Sequence, residues 1–228
     1  MSGFRYAQFC ALARASEILA ERWTLPVLRE LFTGPQRFTD LRRRLPGVST
    51  SVLSTRLAHL VECGVVRQQD LPPPAAATVY ELTERGRALE PALVELVRWG
   101  SQFLESPRRG DHFEPDWLPL GLRAFARRDA TPKLAFELRI PRGDGPPFAV
   151  RVAGGARGTR IGPPGEAVDA TVTGTPDALL GLASGALSAG AALTAGRARC
   201  EGDTRALARL PELFDAKPAT PRHRRKRT

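Results

Sequence analysis

Apolar residues recur at helical spacing through the first hundred positions and then at alternating spacing through much of the second hundred. Phe9, Leu12, Ile18 and Leu19 predict a first helix, and Trp23, Val27, Leu28 and Leu31 a second that Gly34-Pro35 ends. Phe38, Leu41 and Leu45, three and four apart, predict a shorter third helix stopped by Pro46-Gly47. Ser49 offers an N-cap to a fourth helix in which Leu53, Leu57, Leu60 and Val61 share a face, closed by Gly64. Two short β-prone runs, Val65 to Leu71 and Thr78 to Leu82, then read as a hairpin joined by a Pro- and Ala-rich loop. Thr83 caps a last helix predicted to run to about Leu104, with Pro91 bending it.

The segment SPRRGDHFEPD, residues 106–116, combines Pro, Gly and charge with little apolar content, and the texture changes on either side of it. After Leu118, Leu120, Leu122 and Phe125, the segments KLAFELRI, PFAVRVAG and ARGTRIG predict an antiparallel meander. Leu134, Phe136, Leu138 and Ile140 take one face and Ala135, Glu137 and Arg139 the other, so one face is expected to be covered and one wet. VDATVTG is a further strand, Thr175-Pro176-Asp177 opens a helix of Ala and Leu, and GRARCEGD with TRALARLPELFD gives a final strand and helix. The expected class is α+β. The expected organisation is residues 1–105, a linker at 106–116, a second domain at 117–215, and a tail at 216–228.

Composition narrows the classes. With 42% hydrophobic and 25% charged residues, the chain is not wholly disordered, and three widely spaced cysteines do not make a disulfide scaffold. No transmembrane span, signal peptide or metal-ligand pattern is expected, and a reducing cytoplasm is the expected setting. The net charge of +10 favours an acidic partner, and its distribution says where. Residues 1–110 carry 15 arginines against 11 acidic residues, residues 111–216 carry 13 basic against 13 acidic, and the stretch after 216 holds six basic residues and no acidic one. That tail lacks apolar periodicity and is expected to be disordered. A polyanion is therefore expected to meet the first domain.

The order helix, short helix, short helix, hairpin is the layout of a winged helix-turn-helix, in which one helix enters the DNA major groove. With Leu57 pointing to the core, Ser51, Thr55 and His59 lie on the opposite face of the fourth helix, flanked by Arg56 and Ala58. Small hydroxyls let a helix approach base edges closely, and Arg56 is placed to reach a guanine or a phosphate. Arg42, Arg43 and Arg44 sit near an expected phosphate path, although an arginine triplet taken alone is equally a solvated face. The candidate DNA-contacting set is Arg37, Thr39, Arg42, Arg43, Arg44, Ser49, Thr50, Ser51, Ser54, Thr55, Arg56 and His59.

The stretch from Cys10, through ERWTLPVLRELFTGPQRFTDLRRRLPGVSTSVLSTRLAHLVECGVV, to YELTERGRALEPALVELVRWG resembles the HxlR family of bacterial transcriptional regulators over residues 8–105. The resemblance rests on Trp23-Thr24, Arg37-Phe38-Thr39 to Leu41, Ser49 to Leu60, and Tyr80-Glu81-Leu82-Thr83. It implies a homodimer on a pseudo-palindromic double-stranded DNA operator. The apolar stripe of Leu89, Leu93, Leu96, Val97 and Phe103 agrees with pairing between copies. Two features depart from the family. The loop Pro72-Pro73-Pro74-Ala75-Ala76-Ala77 lacks the basic wing-tip residue of many members. Cys10 matches the position of a redox cysteine in several relatives, yet its neighbours Phe9 and Ala11 supply no charge to activate a thiol.

Residues 115–215 resemble the sterol carrier protein-like fold, on the runs Asp169 to Gly174, Leu179 to Gly185 and Gly196 to Asp203. That resemblance implies an apolar cavity for a small hydrophobic ligand, with no ligand-contact residue transferable. The segment LLGLASGALSAGAALTAG either borders such a space or simply packs a thin helix on the sheet. The expected function is a regulator controlled by that ligand, with coupling through the last helix of the first domain. The alternatives are a C-terminal interaction or oligomerisation module, and redox regulation through Cys10. No catalytic motif, cofactor or metal is expected. The cluster Asp111-His112-Phe113-Glu114-Pro115-Asp116 is better explained as a polar linker.

Overall fold

The protein is described by a computed structural model covering residues 5–74, 76–104, 110–143 and 145–215. The basic tail, residue 105, residues 106–109 of the expected linker, and Ala75 of the wing loop lie outside these residues. The chain divides into two compact units, Met1–Leu93 and Val94–Thr228.

In the first unit, α1 (Ala11–Leu19) is followed by α2 (Thr24–Phe32), a short strand β1 (Gln36–Arg37), α3 (Phe38–Arg44) and α4 (Thr50–Glu62). Strands β2 (Val66–Leu71) and β3 (Ala77–Leu82) form the hairpin, with β1 added to the far edge of β3 in the order β1-β3-β2. Two residues are too short a run for alternation to show, so β1 went unanticipated. The core is built from one stripe of each helix, including Val27, Leu28, Leu31, Leu41, Leu53, Leu57 and Leu60. The α1 expectation needs correction at its start. Phe9 and Leu12 are exposed, and only Ala13 on the helix is buried, with Ile18 and Leu19 packed at the core's edge.

The expected long last helix is instead two. Thr83 caps α5 (Glu84–Arg87), accepting a hydrogen bond from the Gly86 amide. A separate α6 (Glu90–Gly100) follows, and a 3-10 turn at Ser101–Phe103 carries the chain to Leu104. Pro91 does not bend a continuous helix. It sits in the first turn of α6, where its missing N–H breaks no helical bond.

In the second unit, a 3-10 turn at Pro115–Trp117 leads into α7 (Leu118–Phe125), and five strands follow in space as β6-β5-β4-β7-β8. Strands β4 (Ala135–Arg142), β5 (Gly145–Ala153) and β6 (Arg160–Gly162) are the antiparallel meander. Strand β7 (Ala170–Gly174) returns parallel to β4 after a crossover, and β8 (Ala198–Gly202) is antiparallel to β7. The class is α+β with a mainly antiparallel sheet. Helices α8 (Pro176–Ser184), α9 (Ala189–Thr194) and α10 (Thr204–Leu207), with a final turn at Leu210–Leu213, supply the remaining layer. The core holds Phe136, Leu138, Ile140, Val152 and Val172 from the sheet and Leu118, Leu122, Leu179, Leu182 and Leu210 from the helical elements. The expected wet face of β4 is only partly wet: Glu137 is buried, because neighbouring strands flank it on both sides and Arg139 lies against its carboxylate at 2.6 Å. Among the described residues no helix is long and apolar enough to cross a membrane.

The junction between hairpin and α5 depends on one close approach. A Cβ on Gly86 would lie 2.2 Å from the Val65 carbonyl oxygen, the same oxygen that accepts from the Thr83 amide. Gly86→Ala is expected to lower unfolding free energy by about 3 kcal/mol, the range for forced overpacking, measured by urea denaturation.

Candidate nucleic-acid interface

Helix α4 is set into the first unit by Leu53, Leu57 and Leu60, all fully buried, and capped by Ser49, whose hydroxyl accepts from the Val52 amide at 3.3 Å. Thr50, Ser51, Ser54 and Ala58 are exposed on its opposite side. This outward strip is narrower and turned slightly from the expected one. Thr55 and His59 are half-buried; the Thr55 hydroxyl donates to the Ser51 carbonyl at 2.9 Å, and a His59 ring nitrogen lies 3.7 Å from the Cys63 sulfur. Ala58, expected on a flank, belongs to the open strip. Its side chains are short, so its backbone can approach a surface closely.

The expected arginines separate into two kinds. Arg56 is not a free reader: its side chain is only 18% exposed and lies 3.5 Å from the Glu21 carboxylate. Arg44 turns inward, 12% exposed, and its Nε donates at 2.7 Å to Glu30, which has no exposed surface. Arg29 reaches the other oxygen of the same carboxylate at 2.8 Å. Arg42 is exposed, and Arg43 is three-quarters exposed with a 3.2 Å contact to Asp40 one turn earlier. Consecutive helical positions are about 100° apart, so a triplet cannot point one way. Arg37 and Thr39 are exposed at the start of α3.

On the hairpin, the outward run is Arg67, Gln68, Gln69 and Asp70. Arg67 is paired with Glu81 at 2.7 Å, which Arg87 also approaches at 3.8 Å. Sequence reasoning passed over this polar run; its lack of alternation was the available signal. Cys10 is exposed, whereas Cys63 and Cys200 are half-buried and burial pushes both of their thiols up. Among the described residues no group of His, Cys, Asp or Glu side chains converges on a metal position. His112 and Phe113 instead stack edgewise on Trp117. The apolar stripe on α6 also divides: Leu93 is buried and Leu89 and Val97 half-buried, while Leu96, Trp99 and Phe103 remain exposed, with Trp99 and Phe103 edge to face at 4.9 Å.

In the second unit, the Gly- and Ala-rich segment is largely interior packing. Ala178, Leu179, Leu182, Ala183 and Ala192 are buried against the sheet, and α8 and α9 approach closely because their facing side chains are small.

A winged helix-turn-helix with a capped, sparsely decorated fourth helix is thus joined to an α+β sheet unit. Residues 18–108 match the HxlR-like helix-turn-helix family and residues 127–215 the SCP-2 sterol transfer family. An HTH-type transcriptional regulator of Synechocystis is 35% identical over 102 residues, covering 45% of this chain and 76% of its own length. The regulator YodB of Bacillus subtilis is 34% identical over 91 residues, covering 40% of this chain and 81% of its own. A Mycobacterium tuberculosis regulator is 42% identical over 97 residues, 42% of this chain, and the chain spans 61% of that relative's length. The solved reduced form of YodB is 30% identical, covers 44% of this chain and 100% of its own, and superposes with a TM-score of 0.39. The chain belongs to the HxlR-like helix-turn-helix transcriptional regulators.

The two kinds of arginine have distinct consequences for stability. Arg44→Ala leaves a buried carboxylate short of a cation and is expected to cost about 2 kcal/mol, whereas Arg43→Ala is expected to stay within about 0.5 kcal/mol of wild type. Thermal or urea melts of the two variants check the contrast.

Proposed function

We propose that this protein is an operator-binding transcriptional regulator that acts as a homodimer and is controlled by a small molecule with a hydrophobic part, held in its second unit. The observation that carries the DNA half is the open strip of Thr50, Ser51, Ser54 and Ala58 on α4, flanked by the outward cations of α3. Placed in a major groove, the strip brings backbone and hydroxyls close to base edges, while Arg42, Arg43, Arg37 and Thr39 meet phosphates. Ser49 caps the helix, so its N-terminal amides favour a neighbouring phosphate. Arg56 ties α4 to Glu21, while Thr55 and His59 contact residues of their own helix and its C-cap. The exposed Leu96, Trp99 and Phe103 support pairing between copies, since a row of large apolar side chains in water favours a partner of like surface. Sensing by the second unit is supported by its match to a family named for sterol transfer.

Fluorescence anisotropy with duplexes from the surrounding genome tests the DNA half. A preferred duplex at moderate salt is the expected outcome, and its absence overturns this reading. Arg42→Ala is expected to weaken binding to preferred and unrelated duplexes alike and to reduce the slope of log K against log salt by about 1, because one phosphate contact is lost.

Redox control through Cys10 is the second reading, favoured by the exposure of that thiol when the other two are half-buried. Any loss of operator affinity on treatment with peroxide is expected to disappear in Cys10→Ser and to persist in Cys63→Ser and Cys200→Ser. Affinities measured before and after oxidant decide it.

A further inference from the structure

Within the second unit lies a cavity of about 280 Å³ whose wall is unlike the unit's apolar core. Arg123, Arg127, Arg128 and Arg157 line it together with Thr159, and its apolar contribution comes from Val94, Ala126 and Ile161. These arginines are not neighbours by accident of a basic stretch, because residues 111–216 carry as many acidic as basic side chains. The fold assembles them from two segments about thirty positions apart. Residues Phe125 to Arg127 are strapped to the segment Leu213–Asp215: the Arg127 amide donates to the Leu213 carbonyl at 3.1 Å and the Asp215 amide to the Phe125 carbonyl at 2.7 Å. The loop bearing Arg157 is tied to the same segment, the Thr159 amide donating to the Arg127 carbonyl at 2.8 Å, while the Thr159 hydroxyl donates to Leu213 at 2.7 Å.

Gly158 makes that approach feasible. Its φ of +83 suits glycine, and a Cβ there would stand 2.4 Å from the Arg127 carbonyl oxygen. Arg157 is thereby held beside the Arg127-Arg128 pair. Carboxylates at the rim meet some of these cations. Arg128 meets Glu95, and Arg127 lies 3.5 Å from Asp215; both acids are about half exposed. Arg157 is exposed and has no ion pair among the described residues. Guanidinium groups gathered on one small concavity repel one another, and an anion among them relieves that repulsion. Guanidinium is also the side chain best shaped for two-pronged bonds to carboxylate or phosphate.

We propose that this cavity binds a small organic anion, its carboxylate or phosphate among Arg123, Arg127, Arg128 and Arg157 and its apolar part against Val94, Ala126 and Ile161. The inference rests on the reading of the second unit as a sensor and names the ligand's chemistry. A volume of about 280 Å³ sets the size, near the lower end of small-molecule sites, so a compact ligand is selected over a long chain.

Calorimetric titration of the full chain, free of DNA and in low-chloride buffer, tests it with three probes: benzoate, benzyl alcohol and inorganic phosphate. Benzoate or phosphate is expected to bind, benzyl alcohol is not, and the stronger of the two anions tells carboxylate from phosphate recognition. Arg157→Ala is expected to weaken anion binding about tenfold while leaving the unliganded melting temperature unchanged, and Arg42→Ala on α3 is expected to have no effect on it. Absence of anion binding, equal binding of benzyl alcohol and benzoate, an unchanged affinity in Arg157→Ala, or an equal loss in Arg42→Ala each overturns the proposal. Operator titration with and without the bound anion separates the two readings. Anion binding that leaves operator affinity unchanged keeps the site and removes its role as a sensor.

Discussion

Burying a carboxylate completely is costly unless cations meet it, and Glu30 is met by Arg29 from its own helix and Arg44 from the next. Much of the first unit's arrangement follows from that constraint. Arg44 is the last residue of α3, so its commitment to Glu30 fixes how α3 lies on α2. With Leu41 and Leu45 fully buried beside it, the remaining helical directions are outward, and these are where Arg42 and Arg43 stand. The turn from Leu45 to Val48 then delivers the chain to the Ser49 cap, and α4 begins with its polar strip already aimed away from the core. The buried contacts of Glu30 therefore divide the three arginines of α3 between structure and surface, leaving Arg42 and Arg43 outward beside the start of α4.

The second unit obeys a different rule. Its sheet has a continuous apolar face, but the helices laid on it are built of Ala, Gly and Leu, and such helices approach closely because little side chain intervenes. The arginine-lined concavity lies where α7, the loop before β6 and the segment Leu213–Asp215 are tied by backbone hydrogen bonds. Those bonds leave arginine side chains as the lining. The sheet and helices thus act as a scaffold, and recognition chemistry resides at its periphery, where guanidinium groups keep access to water while being held in a fixed arrangement.

Elements governed by local pattern were legible in the sequence. The buried stripe of α4, the Ser49 and Thr83 caps, and the strand faces of Phe136, Leu138 and Ile140 all follow from spacing that one element alone determines. What escaped the sequence depended on distant partners. The two-residue strand β1 exists because β3 offers an unpaired edge, and the seat of α5 depends on Gly86 pressed on Val65, a contact with a residue twenty-one positions earlier. Arg44 and Arg56 looked like their neighbours until Glu30 and Glu21 were brought to them. The arginines of the second unit carried only the faint signal of a doublet at Arg127-Arg128, because Arg157 joins them through tertiary folding.

Linkage between a bound anion and an operator requires more than the presence of both sites. A ligand shifts an equilibrium only by its difference in affinity for two states, and equal affinity shifts nothing. Within the second unit, the difference would have to show at the groups that now meet the cavity's arginines. Leu93 is buried in the first unit's core, and Val94, the next residue along the same helix, lines the arginine-rimmed cavity of the second. Glu95 follows and holds Arg128. An anion that draws Arg128 inward competes with Glu95 for the same guanidinium, and the cost of breaking that pair depends on where α6 lies. Leu96 and Trp99 on the same helix stay exposed, so the segment that would compete with the anion for Arg128 also carries apolar side chains in water.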